Sequence, residues 1–421
     1  MRWWRLWSGA SAIICINGIF SLNCKINNDM KRIHVGLVLF LLYLLSVNIS
    51  TLSAKEPERV ILFMIDGMHW QAPEKLNMPV LNSLIKEGTY VRKSYMIIPH
   101  HPTVGDYSLS NSCSFPNPML HEGTIFLSPK NKMIQEMISP KQQTAFVVNT
   151  TAYRSVGRGF STCIMDNSLT DDQTVQQAIN LLESQEIRFM RVHLQSPGSL
   201  GTNIAMFSEG KPYARDVFGE GSPYVEAIEN ADRLLGELID YLKTAGKWES
   251  TVLIVTSDHG QSKVGWHPML DEDSWVTPLV FGGTGIARGR ELPYFEHTDL
   301  APTIARLLGV EAPNTGGGAG KAVEEIMAKT DASSYHPARY IKTINQQIRQ
   351  YNILYAQLVL VAEKNNYVAN IISSLSNEYL TPEPFYHQDR ITEWHRAGST
   401  EHLIEANEDV LHKMKETLLI K

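Results

Sequence analysis

A run of β-branched and apolar residues, Thr251-Val252-Leu253-Ile254-Val255-Thr256, stops abruptly at Ser257-Asp258-His259-Gly260. An apolar run of this length reads as a strand buried on both faces, as in a parallel α/β sheet. In open α/β sheets chemistry collects where strands end at their carboxyl edge. A carboxylate beside an imidazole there can hold one metal ion, the Asp through oxygen and the His through nitrogen. The same pair also suits a capped turn, so it needs company before it means function.

A second strand supplies that company. Arg59-Val60-Ile61-Leu62-Phe63-Met64-Ile65 runs into Asp66-Gly67, again delivering an Asp to a strand end, with a glycine for the tight turn. Pro79-Val80-Leu81-Asn82-Ser83-Leu84-Ile85-Lys86-Glu87-Gly88 then reads as a helix closed by a glycine C-cap. Tyr90 to Met96 reads as a further strand.

These pieces resemble the alkaline-phosphatase superfamily, which includes nucleotide pyrophosphatases/phosphodiesterases, sulfatases and metal-dependent phosphoglycerate mutases. The resemblance rests on Phe63-Met64-Ile65-Asp66-Gly67, Ser114-Phe115-Pro116-Asn117, and Ser257-Asp258-His259-Gly260 with Gly265-Trp266-His267. Asp299 to Gly309 is similar to the family's closing helix. The order of these motifs, spread over residues 59–310, is what makes the match specific. It implies a three-layer α/β/α fold with a mostly parallel central sheet.

The chain of 421 residues is long enough for one large domain with appendages. Its net charge of -6 argues against a nucleic-acid-backbone binder, which is usually basic. Gly316-Gly317-Gly318-Ala319-Gly320 marks the end of the main domain, placed at 55–320. Residues 321–421 read as a helical C-terminal extension, with amphipathic stretches over 341–362 and 401–419. It would pack on the main domain or shield the mouth of its site.

At the other end, Met30-Lys31-Arg32, the apolar run Val35 to Leu45 and Thr51-Leu52-Ser53-Ala54 have the parts of a signal peptide, residues 30–54. Residues 1–29 fit no such scheme and read as a mis-called extension. The apolar run is shorter than the roughly 20 residues of a spanning helix, which favours cleavage over a membrane anchor. The expected product is exported, periplasmic or extracellular. It would keep Cys113 and Cys163, able to form one disulfide there.

The resemblance implies a chemistry. Two metal ions about 4 Å apart serve a Ser, Thr or modified Cys that attacks phosphorus or sulfur. Asp66, Asp258 and His259 match the ligands of the nucleophile-side metal, with zinc the implied ion. For the nucleophile, Ser114 resembles the attacking residue of the phosphodiesterase motif Thr-Phe-Pro-Asn, followed by Leu120-His121-Glu122-Gly123. Thr103 has the better distance from Asp66, and an insertion over residues 105–113 reconciles the two. The alternative for Ser114 is a structural serine in a proline turn. Cys113 lacks the arginine of the sulfatase Cys-x-Pro-x-Arg pattern, which argues against a formylglycine sulfatase.

The second metal is where the chain departs from the family. In Pro197-Gly198-Ser199-Leu200-Gly201-Thr202, Gly198 stands in place of the family Asp and Thr202 in place of the His. His267 alone remains, and one imidazole does not hold a divalent ion tightly. His193, His100, His101 and His69 are the residues from which a second site could be rebuilt, each more readily a surface or core histidine. Among Tyr153, Arg154 and Arg158, an arginine would grip a phosphate oxygen, as would Asn117, although a solvated loop is the simpler reading. The expectation is a metal-dependent hydrolase of phosphate mono- or diesters acting on a small molecule. The alternative is a catalytically impaired pseudoenzyme of the same fold, a secreted binding protein.

Overall fold

Every residue of β1 (Arg59–Ile65) is buried, and its side chains divide by parity between two cores. Ile61, Phe63 and Ile65 join one hydrophobic cluster, while Val60, Leu62 and Met64 join another. That is the period-2 signature of a strand covered on both faces. The structure, a computed structural model, describes residues 56–97, 110–114, 131–139, 141–268, 270–314, 320–378 and 400–420. The expected signal segment (residues 30–54), Thr103, His100-His101, Asn117, Leu120 to Gly123 and residues 315–319 lie outside the described residues.

From β1 the chain continues through α1 (Pro79–Glu87), β2 (Thr89–Tyr95), β3 (Gln143–Val148), β4 (Thr162–Met165) and α2 (Asp171–Ser184). Then come β5 (Ile187–Leu194), α3 (Ser196–Phe207), α4 (Pro223–Thr244), β6 (Thr251–Thr256) and β7 (Val276–Gly283). Two short strands, β8 (Arg290–Glu291) and β9 (Phe295–Glu296), lead into α5 (Leu300–Leu308). The chain closes with α6 (Tyr340–Ala362), α7 (Asn366–Glu378) and α8 (Thr400–Leu418).

Among the described residues one nine-stranded sheet runs β4-β3-β5-β1-β6-β7-β2-β8, with β9 also on β2. From β4 to β6 the strands are parallel; β7 pairs antiparallel with both β6 and β2. Residues of α1, α2 and α4 cover one face and those of α5 the other. The fold is therefore the three-layer α/β/α arrangement expected. Each fully buried aliphatic or aromatic side chain of these layers contributes about 1.5–3 kcal/mol of transfer free energy.

The strands and helices read from sequence fall where they were placed, within a residue or two. One local detail differs. Gly88 follows α1 in an extended conformation, not the left-handed one of a glycine C-cap. It is needed for close approach, since a β-carbon there would stand 2.1 Å from the Phe281 carbonyl oxygen on β7. Cys113 and Cys163 are also unpaired: the first is buried, the second exposed. The Cys113 thiol donates to the Pro313 carbonyl at 3.1 Å instead, so the expected disulfide is not formed.

The C-terminal helices lie on the main domain. Ile341, Ile344, Ile348 and Leu358 of α6 share a core with Leu403, Leu411 and Met414 of α8 and with Tyr95, Trp275 and Val276. Asn345 Nδ2 donates to the Met96 carbonyl at 2.7 Å, and Ile341 N donates to Glu296 Oε1 at 2.8 Å. Among the described residues no helix is long and apolar enough to cross a membrane.

Candidate metal centre

Four adjacent strands deliver the site. In the parallel registers of β1, Met64 stands opposite His193 on β5 and Thr256 on β6. Two residues on along each strand, Asp66 and Asp258 leave the sheet side by side at its carboxyl edge. β3 pairs with β5 on the far side, and the turn after it, Thr151–Gly157, brings in Tyr153.

The turns are tied down before any ligand is considered. Gly67 takes a left-handed φ of 62°, and its N–H donates to Asp258 Oδ1 at 3.2 Å. Met68 N donates to Ser257 Oγ at 2.9 Å, and Ser257 Oγ donates to the His259 carbonyl at 2.6 Å. The Tyr224 hydroxyl of α4 accepts from His69 N and donates to the Gly67 carbonyl, both at 2.8 Å. These bonds fix the turns that carry Asp66 and Asp258.

Asp66, His193 and Asp258 present ligand atoms within 4.8 Å of one another. His259 Nε2 lies 3.5 Å from Asp66 Oδ1 and 3.4 Å from Asp258 Oδ2. All four side chains are buried. Burial first, and then the Asp258 charge, push the Asp66 carboxyl well above its ordinary value. Burial also works against ionising Asp258, but His259 and His193 when their rings are charged, with hydrogen bonds from Tyr153 and Gly67, outweigh it and hold Asp258 below the usual carboxylate range.

Hydrogen-bond roles separate the two imidazoles. His259 Nδ1 lies 2.7 Å from the Gly260 carbonyl, which only accepts, so Nδ1 carries a proton. In the neutral ring the Nε2 lone pair then faces two carboxylate oxygens. A shared cation relieves that repulsion, so the donor set fits a divalent ion. His193 is the reverse case. Its Nδ1 lies 3.3 Å from Arg191 Nη2, which only donates, so its proton sits on Nε2, 3.3 Å from Asp66 Oδ2.

The remaining sequence candidates go to several places. His267 is buried with its ring edge-on to His259 at 4.2 Å and stacked on Trp266 at 4.0 Å, so it braces His259. His69 pairs with Asp273 instead, at 3.4 Å. Ser114 is buried and its Oγ accepts from Asn131 Nδ2 at 2.8 Å. Arg158 Nη2 donates to the Asn131 carbonyl at 2.6 Å and to Glu136 at 3.1 Å, so serine and arginine meet through one asparagine. Arg154 is exposed.

The sulfatase family model matches residues 129–310. The multifunctional alkaline phosphatase superfamily protein PehA of Trinickia caryophylli is 36% identical over 98 residues, 21% of this chain and 19% of that protein. Human ectonucleotide pyrophosphatase/phosphodiesterase family member 5 is 22% identical over 264 residues, 57% of this chain and 52% of that protein. The crystal structure of the phosphonate monoester hydrolase of Agrobacterium radiobacter superposes with a TM-score of 0.51 at 14% identity, covering 66% of this chain and 79% of that one. Over part of its length the chain is similar to members of the alkaline-phosphatase superfamily, and it shares the fold of the phosphonate monoester hydrolase. Its matches to these two curated relatives span from about a fifth to about half of their length.

Two positions depart from the superfamily's pattern. Gly198, on the first turn of α3, packs directly on the Asp66 carboxylate: a β-carbon there would stand 1.7 Å from Asp66 Oδ1. Thr202, a turn further along α3, is half-buried. Gln261 fills the adjoining space, its amide abutting Gly67 and Gly201, and among the described residues neither polar atom has a hydrogen-bond partner.

Sequence reasoning missed the role of Tyr153. Its hydroxyl lies 2.9 Å from Asp66 Oδ2 and 2.9 Å from Asp258 Oδ2. It also set His193 aside as a surface or core histidine, whereas that ring stands beside Asp66. The usable signal was the strand end: His193 occupies on β5 nearly the place that Asp66 occupies on β1.

Proposed function

We propose that the protein is a metal-dependent hydrolase of phosphate mono- or diesters, built on the ion site of Asp66, Asp258 and His259. The observation that carries this reading is the pair of buried carboxylates on adjacent strand ends, faced by an imidazole whose Nδ1–H is committed to the Gly260 carbonyl. A divalent ion held there, zinc being the one the family implies, would supply Lewis acidity to a bound ester and a lowered pKa to the attacking hydroxyl.

The chain's own residues do the rest. His267 and the Gly260 carbonyl fix the orientation of His259. Arg191 holds His193 as a donor to Asp66. Ser114 is the proposed nucleophile, its hydroxyl oriented by Asn131, with Thr103 the competing residue. Arg158, with Arg154 and Asn117, would receive phosphate oxygens once the ion pair to Glu136 yields. Phosphate is preferred to sulfate because the buried Cys113 thiol is engaged by Pro313 and lacks the sequence context for formylglycine.

A specific observation favours a second reading. A glycine stands where the family pattern has an Asp, and its missing side chain makes room for Asp66, so one ion site would stand where the resemblance implies two. A secreted binding protein that holds one ion and a phosphate without turnover would suit that loss.

The test is calorimetric titration of the purified protein with Zn²⁺ and Mn²⁺. Assays on p-nitrophenyl phosphate, bis(p-nitrophenyl) phosphate and p-nitrophenyl sulfate follow. One ion per chain with phosphoester turnover supports the enzyme. One ion with phosphate binding and no turnover supports the binding protein. No ion sinks both. The reading includes export, so the native protein should begin near Lys55; an intact upstream terminus would count against it.

A further inference from the structure

The compact triad of Asp66, His193 and Asp258 makes His193 look like the third protein donor to the ion, after the two carboxylates. Its hydrogen bonds say otherwise. A guanidinium has no acceptor, and Arg191 is fully buried beside the ring. Its contact to Nδ1 leaves Nε2 protonated toward Asp66, and a protonated nitrogen has no lone pair to give a metal.

Tyr153 meets the requirements that His193 fails. One phenolic proton can make a straight hydrogen bond to only one of two ionised carboxylates, yet the oxygen stands 2.9 Å from both. Without an ion, the proton that burial keeps on Asp66 relieves this; with an ion, that proton is displaced and the cation stands among the three oxygens. Ligand atoms about 2.1 Å from one ion lie roughly 3.0 Å apart on neighbouring corners of an octahedron. The two Tyr153 contacts have that spacing, and the His259 contacts, at 3.4 and 3.5 Å, are only slightly wider. The ring cannot easily leave. It packs on His193 with centroids 4.3 Å apart and edge-on to Phe146 at 6.4 Å. Its turn is capped by Thr150 and pinned where Gln135 Nε2 donates to the Val156 carbonyl at 3.0 Å.

We propose that Tyr153, and not His193, is the fourth protein donor to the ion held by Asp66, Asp258 and His259. His193 is a positioning residue that, with Arg191 behind it, aims Asp66. Four protein donors leave open corners for a substrate oxygen and the nucleophile, as a catalytic site requires. The inference rests on the ion site of the proposed function but not on any substrate.

The test is spectroscopic. The full-length protein is freed of metal and loaded with one equivalent of Fe³⁺, with uptake confirmed by metal analysis. Tyrosine oxygen bound to Fe³⁺ gives a visible charge-transfer band that carboxylate and imidazole donors do not. The wild type should show it, Tyr153→Phe should bind iron more weakly and lose it, and His193→Gln, which keeps an N–H donor, should retain it. An iron-loaded wild type without the band overturns the inference and leaves the proposed function standing. So does a band that survives Tyr153→Phe, or iron uptake lost in His193→Gln and kept in Tyr153→Phe. Failure of the wild type to take up either Fe³⁺ or Mn²⁺ overturns both. Should Tyr153→Phe not fold, the wild type and His193→Gln still decide.

Discussion

Gly198 lies against Asp66 so closely that a β-carbon on it would stand 1.7 Å from Oδ1 and 2.7 Å from the carboxyl carbon. No real side chain tolerates that. Asp66 has little room to retreat, since its N–H is bound to the Leu194 carbonyl and Oδ2 is flanked by Tyr153 and His193. The glycine is therefore part of how Asp66 is placed, not only the mark of a lost ligand.

The variant Gly198→Ala should drive the Asp66 side chain from the centre. Metal affinity should fall by at least the roughly 10–100-fold that disturbing a ligand's surroundings costs. The pair Gly198→Asp with Thr202→His, which the family pattern would suggest as a repair, should not restore a second site. Metal stoichiometry of the purified variants is the measurement. Two ions per chain in a folded double variant would show that Asp66 can move aside.

Removing a carboxylate outright should cost more. Asp258 accepts from Gly67 N and faces His259 and Tyr153, so Asp258→Ala deletes a proposed ligand and loosens the turn that carries Asp66. Calorimetric titration should find affinity reduced beyond the roughly 10–100-fold of outer-shell changes, and likewise for Asp66→Ala. Asp273→Asn, which alters only the contacts to His69 and Trp70, is the control and should bind as the wild type does. Equal metal affinity in all four proteins would remove Asp66 and Asp258 from the ligand set.

Much of this was legible in the sequence because buried strands announce themselves. The runs before Asp66 and Asp258 are apolar without alternation, and a strand apolar on both faces belongs inside a parallel sheet. Where such a run ends is where its next polar side chain emerges, so both carboxylates could be placed on one edge. His193 escaped because its position depends on which strand pairs with β1, and register is a tertiary fact. Tyr153 escaped because a short turn has no periodicity to read, and its neighbours Arg154 and Arg158 drew attention as phosphate ligands. Gly198 was read as an absence, since nothing in a sequence reports what a missing β-carbon makes room for. The two cysteines illustrate the same limit: count and compartment allow a disulfide, but distance decides it.

The junction between the main domain and the C-terminal helices should respond to pH. Glu296 accepts from the Tyr294 hydroxyl at 2.6 Å and from Ile341 N at the start of α6. Burial, and then the nearby Asp299 charge, push its carboxyl up to about 8 from an ordinary 4.5. The native state thus keeps a proton that the unfolded chain releases above about 4.5. Its stabilising effect is full below that pH and is lost as pH rises to about 8, with no further loss beyond. Glu296→Gln keeps both acceptor contacts without the charge and should flatten this dependence. Urea unfolding followed by tryptophan fluorescence, with Trp275 in the same core, measures it between pH 5 and 8. A slope unchanged in the variant would assign the effect to another group.

Gln261 carries the last test. Its side chain is fully buried, pressed between Gly67 and Gly201, and neither amide atom has a hydrogen-bond partner among the described residues. A buried polar group left unsatisfied costs about 1–3 kcal/mol, and replacing it with an apolar group of similar shape recovers much of that. Gln261→Met has nearly the same volume and reach, so repacking should be mild. The expected outcome is a variant more stable than the wild type by about 1–2 kcal/mol, read from urea unfolding in the absence of added phosphate or metal. A less stable variant would mean that the amide already has a partner, such as an ordered water between the metal centre and α3. In that case inorganic phosphate affinity, measured on the metal-loaded wild type and variant, tells whether the partner is displaced by ligand. Weaker phosphate binding in Gln261→Met would place the amide on a phosphate oxygen. Unchanged binding would leave it a structural group beneath the site.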